Sequence, residues 1–133
     1  MSEILIEKNH LESRNLFDKK EDLVPEGRYT AKFLGMKYLT NWKNTDAAIF
    51  YFYFTYYNQE YIAGFVATRR LKSTSLSWHL WKVLTGFNPR GYVTAEDLSY
   101  YKDVKLEIDV VHSYAKNRSK YYLKVVGVYP HIL

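Results

Sequence analysis

The chain has 133 residues, 19 Lys+Arg against 14 Asp+Glu, no cysteine, and three Trp, fourteen Tyr and seven Phe. That length is enough for one domain with its own core, and the lack of cysteine excludes a disulfide framework and any Cys-based zinc site. The formal charge of +5 is unevenly spread: residues 1–26 carry four bases and seven acids, a net of −3, whereas 27–133 carry fifteen bases and seven acids, a net of +8. The longest apolar run, Ala47 to Phe54, falls far short of the ~20 residues of a membrane helix. The opening MSEILIEKNH has no basic segment followed by an apolar one, so it does not read as a secretory signal. These features predict a soluble, cytoplasmic protein with no membrane partner.

Residues 1–23 form an acidic extension broken by Ile4, Leu5, Ile6, Leu11, Leu16 and Phe17. Two readings stay open: a flexible tail, or a short element docked through Ile4–Ile6 and Leu16–Phe17. Pro25-Glu-Gly27 is a turn signal, and the ordered domain is expected over residues 24–133. From Arg28 to Tyr38 the pattern has period two, with Tyr29, Ala31, Phe33 and Gly35 on one face of a long first strand. Residues 40–46 are turn formers. Ala47 to Tyr57 is rich in β-branched and aromatic residues and predicts a second strand, with Phe50, Phe52 and Phe54 on one face and Tyr51, Tyr53 and Thr55 on the other. Asn58-Gln59 is the expected tight connection to a third strand, Tyr61 to Arg70.

The period then becomes helical. Ser73 or Thr74 is a plausible N-cap, Leu76, Leu80, Val83 and Leu84 share one face, and Gly86 ends the helix. Residues 92–102 read as a loop or a single helical turn. Alternation returns at Val104 to Val111, with Val104, Leu106, Ile108 and Val110 on one face. A polar, basic loop is expected over 112–119, followed by a last strand from Lys120 to Tyr129.

The order β-β-β-α-β-β predicts an all-β fold, a five-stranded OB-fold barrel with one helix plugging an end. Gly35 inside a long first strand suits the bend that a coiled barrel needs. A strand as aromatic as the second would invite aggregation as an exposed edge, and a barrel covers it on both sides. An open α+β sheet is the rival architecture.

Four segments also carry a family resemblance: Val24-Pro-Glu-Gly-Arg-Tyr-Thr-Ala-Lys-Phe-Leu-Gly35, Phe50-Tyr-Phe-Tyr-Phe54, Leu76-Ser-Trp-His-Leu-Trp-Lys-Val-Leu84 and Tyr122-Leu-Lys-Val-Val-Gly-Val-Tyr-Pro130. In these the chain resembles the OB-fold single-stranded-DNA-binding proteins of phages and other viruses of prokaryotes. The resemblance implies a role in replication, recombination or repair in a host cytoplasm, alongside replication or recombination proteins. Such proteins commonly carry an acidic C-terminal tail; here the acidic segment stands at the N-terminal side.

Single-strand binding needs cations along the phosphates and flat side chains for the bases. Phenylalanine is the better core residue because a buried tyrosine hydroxyl needs a partner, so Tyr51 and Tyr53 are expected to point outward. On the third strand Tyr61, Phe65 and Arg69 are assigned outward with them, followed by Arg70 and Lys72. The flanking loops add Trp42 and Lys43 on one side and Tyr114, Lys116, Arg118 and Lys120 on the other. The bland counter-reading is that a strand tyrosine usually packs and a loop lysine is usually solvated. No phosphate-binding glycine loop, nucleophile motif or metal-spaced histidine set appears, so no enzyme, cofactor or metal is expected. RNA is not separable from DNA by sequence. The alternative function is a protein-interaction or homo-oligomerisation module using the aromatic face.

Overall fold

The computed structural model describes residues 16–39, 47–89, 91, 93–116 and 119–132. Strands β1 (Gly27–Tyr38), β2 (Ala47–Tyr56) and β3 (Gln59–Thr68) are followed by helix α1 (Leu76–Thr85) and a short helix α2 (Ala95–Ser99). Strands β4 (Lys105–Ala115) and β5 (Lys120–Pro130) complete an all-β, closed barrel in the order β1-β2-β3-β5-β4. This is the OB-like arrangement expected from the element order.

β1 reaches both halves of the barrel by changing partner along its length. Lys32 to Tyr38 pair with β2, whereas Gly27 to Lys32 pair with β4. The register slips between Phe33 and Gly35, and Gly35 has φ +154°, a backbone that suits glycine at a bulge. The slip turns Met36 inward beside Ala31 and Phe33, all almost fully buried. Strict alternation from Phe33 would put Met36 on the opposite face, and the extra residue of the bulge is what reverses it.

The core is built from Phe33, Phe50, Phe52, Phe65, Leu106, Ile108, Leu123 and Val125. Phe50 and Phe65 stack at 4.9 Å, and Phe52 meets Phe65 at 5.9 Å. Phe50, Phe52 and Phe54 therefore point inward, as their alternation predicts. β3 does not follow the expected parity. The connection is Tyr57-Asn58, one residue earlier than Asn58-Gln59, and Tyr56 opposes Gln59. In such a hairpin directly opposed residues share a face, so Phe50 opposes Phe65, Phe52 opposes Ala63 and Phe54 opposes Tyr61. Tyr61, Ala63 and Phe65 belong to the core side, and Ile62, Gly64 and Val66 face outward.

Helix α1 packs against β5 and β3, burying Leu80 and Leu84. Its N-cap is Ser75, whose hydroxyl accepts from the Trp78 N–H at 3.3 Å; Ser73 and Thr74 lie in the preceding turn. Ser77 explains the choice: its hydroxyl donates to the Thr68 carbonyl at 2.7 Å, tying the first helical turn to the end of β3. Gly86, at φ +82°, donates its N–H to the Lys82 carbonyl and ends the helix. The first half of the basic 112–119 segment is strand rather than loop, since His112 to Ala115 pair with Leu123 to Lys120.

The segment before β1 is docked from residue 16 onward. Phe17 exchanges both backbone hydrogen bonds with Tyr121, at 2.9 and 2.8 Å, and its ring lies 6.3 Å from Tyr61. Asp18 pairs with Lys120. Leu23 and Val24 are buried in the main core. His112 Nε2 donates to the Val24 carbonyl at 2.6 Å, and the Tyr29 hydroxyl donates to that of Pro25 at 2.5 Å. β3 and β5 share a single ladder pair, Gly64 with Lys124, so Phe17 fills a seam that those two strands leave thin. Of the two readings of the extension, docking describes residues 16–23; residues 1–15 lie outside the described part.

Candidate nucleic-acid interface

The outer face of β1, β2 and β3 follows from the register. Tyr53 lies between Lys32 on β1 and Ile62 on β3, Tyr51 between Gly35 and Gly64, and Ile49 between Lys37 and Val66. Lys124 on β5 stands beside Gly64. The glycine shapes what Tyr51 does. A Cβ at position 64 would come within 3.3 Å of the Tyr51 ring and 2.8 Å of the Phe50 carbonyl oxygen. Without it, the Tyr51 ring settles against the β3 backbone and is 9% exposed, packed with Ile62, Leu34, Ile49 and Tyr53 in a cluster separate from the barrel core. Tyr51 points outward as expected, but most of its surface is already covered.

Tyr53 is held differently. Its hydroxyl donates to Asp103 Oδ1 at 2.6 Å. That hydrogen bond, with burial and the nearby Asp103 and Glu60 charges adding to it, pushes its pKa up to about 12. Asp103 adopts φ +70°, a left-handed conformation that aspartate tolerates better than most residues. Its N–H donates to the Phe33 carbonyl at 2.8 Å, so the carboxylate that orients Tyr53 is itself anchored to β1. The phenol therefore stays neutral, and its ring is fixed at the edge of the face.

Where β1 leaves β2 for β4, a groove of about 470 Å³ opens. Tyr53, Thr55 and Glu60 form one wall, and Thr30, Lys32 and Lys105 the other. Tyr29 and Phe54, stacked at 4.6 Å, lie at its base. On the β2 side of this split, residues 27–31 of β1 have no ladder partner, and the strands part there to open the groove. Two cations and a fixed aromatic ring are the chemical means to hold a phosphate and a flat heterocycle together.

Beyond the groove, the outer face of β1, β4 and β5 is an internally satisfied polar network. Arg28 Nε lies 2.8 Å from Asp109 Oδ1, and its guanidinium sits 3.9 Å over the Tyr129 ring. Thr30 donates to Glu107, whose other contact is His131 Nδ1 at 2.6 Å. The Arg28 hydrogen bond holds the Asp109 carboxyl below its ordinary value of 3.8, and the His131 hydrogen bond holds Glu107 below 4.5. A carboxyl depressed in the folded state stabilises above its unfolded value, and that contribution disappears as pH falls through the folded one. Wild type should thus lose more of its urea midpoint than Arg28→Ala when taken from about pH 5 to pH 3. Parallel losses in the two proteins would show that the Arg28–Asp109 pair contributes nothing.

The other sequence-derived candidates divide clearly. Tyr61 and Phe65 are turned to the core. Arg69 leaves β3 half-buried with its guanidinium 4.8 Å from the Tyr38 ring, and its carbonyl accepts from Val93. Arg70 and Lys72 are exposed at the same end of the barrel. Tyr114, 47% exposed, is a strand residue packed on Tyr121 at 4.9 Å rather than a loop residue. Lys116 is exposed in the β4–β5 turn, and Lys120 is engaged by Asp18. Trp42, Lys43 and Arg118 lie outside the described residues. Among the described members of the expected set, only Tyr51 and Tyr53 share the outer face of β2. Lys32, Lys105 and Lys124, which bring the charge to that face, were not singled out by sequence. The outward parity of Lys32 on β1 was the available signal.

No protein-family model matches the chain, and no curated protein and no solved structure matches it significantly. Among the described residues no helix is long and apolar enough to cross a membrane, and no group of His, Asp and Glu is placed to hold a metal.

Proposed function

We propose that this chain binds single-stranded nucleic acid, with little dependence on sequence, along the outer face of β1–β2–β3. The observation that carries this reading is the groove at the β1–β2 split, where the fixed Tyr53 ring stands opposite Lys32 and Lys105. Tyr53 offers a base-stacking surface, and Lys32, Lys105 and Lys124 follow the phosphates. Stacking is indifferent to base identity because every base has a π-face. In a cell this activity serves DNA replication, recombination or repair, in the manner of the phage and viral proteins that the sequence resembles, and it acts in the cytoplasm, the host's if the chain is viral.

The test is a titration of labelled oligo-dT at 50 and 200 mM salt, with an RNA oligomer and a duplex of equal length as comparisons. Saturable binding to the single strand that weakens with salt, and exceeds duplex binding, is expected from counterion release. No binding at 50 mM salt, or equal affinity for the duplex, removes the reading. A second reading rests on Val66, 48% exposed beside the Tyr51–Ile62 cluster: the same face as a homo-oligomer interface. A stable dimer in sedimentation with no oligo-dT binding selects that one.

A further inference from the structure

The β2–β3 hairpin turns through two residues that both have positive φ, Tyr57 at +50° and Asn58 at +64°. Hairpins of this kind favour Asn-Gly or Asp-Gly, because a Cβ is disfavoured in the left-handed region. Asn58 suits its place. Tyr57 does not: it is an aromatic in a backbone conformation that aromatics avoid, and it is 86% exposed, so it gains little from burial. Local strain combined with an exposed aromatic points to a use outside the fold.

The ring is propped rather than loose. It meets Tyr56 edge-on at 4.6 Å and 84°. Tyr56 in turn meets Tyr29 at 5.8 Å, and Tyr29 is stacked on Phe54. The prop is thus continuous with the core, while most of the Tyr57 side chain stays open to solvent. The tip is also in line with the groove. Thr55 and Glu60, directly opposed, line the groove, and Tyr57 is two residues further along, roughly 7 Å at the usual strand rise. That is about one nucleotide of an extended single strand.

We infer that Tyr57 is a base-stacking residue that extends the interface past the end of the barrel and receives a base of a single strand leaving the groove. This rests on the single-strand reading above and adds a residue to it. The chemistry implied is a planar heterocycle of any identity, held by π-stacking without hydrogen-bond readout.

Tyr57→Asn separates the two demands on this position, because it relieves the turn and removes the ring. It should raise the melting midpoint by about 2–4 °C and weaken oligo-dT binding about tenfold. Tyr57→Phe should bind within about twofold of wild type, since the hydroxyl has no part in stacking. If Tyr57→Asn binds like wild type while Lys32→Ala with Lys105→Ala binds more weakly, the inference about Tyr57 fails and the single-strand reading stands. If wild type itself does not bind oligo-dT, both fail. A melting midpoint that falls in Tyr57→Asn also overturns the inference, since the ring would then serve the hairpin.

Discussion

Phe65→Ala lowers the unfolding free energy by about 3–5 kcal/mol, the range for removing a large aromatic from a packed core. Phe65 is 4% exposed and stacks on both Phe50 and Phe52, so truncation leaves a cavity against two β2 rings that lose their partner. The outcome decides which face of β3 lines the core. A loss of this size, read from urea or thermal midpoints, agrees with the hairpin register. A variant with near-native stability that binds oligo-dT poorly would instead put Phe65 on the outside. Val66→Ala, one residue on and facing outward, should change stability by no more than about 0.5 kcal/mol.

Removing Lys32 and Lys105 together has the largest expected effect on binding. Each cation that neutralises a phosphate contributes about 0.7 to the slope of log affinity against log salt for single strands. The double variant Lys32→Ala, Lys105→Ala should make that slope shallower by about 1.4 while keeping the wild-type melting midpoint. The loss should be equal on oligo-dT, oligo-dC and oligo-dA, because phosphate contacts carry no sequence information. Lys82→Ala, on the exposed side of α1, should leave the slope unchanged. If the double variant keeps the full slope, the groove is not the path of the strand.

Much of this fold was readable residue by residue. The Phe/Tyr alternation on β2 assigned inside and outside correctly, because a buried phenylalanine leaves no polar atom to satisfy. Gly35 marked the bulge and Gly86 the helix end, each by its tolerance of positive φ. The β3 faces were also determined locally, although chemistry suggested otherwise. Any two-residue hairpin after Tyr56 or Tyr57 places Phe65 on the phenylalanine face of β2. Assigning Tyr61 and Arg69 outward for their polarity set a weak preference against a strict geometric rule.

What the sequence by itself determined is the order of the main elements and the inward row of β2, since these depend on periodicity and turn chemistry within a few residues. The tertiary structure alone decided where the charge meets the aromatic ring. The groove exists because β1 changes partner at Lys32, which brings Lys105 alongside it and sets Thr30 against Glu107, 77 residues away. Tyr53 is oriented by Asp103 across a separation of 50 residues. Phe17 closes a seam against a strand more than a hundred residues later. Contacts at such range follow from how the strands coil and close on one another, and no local pattern of residues encodes that closure.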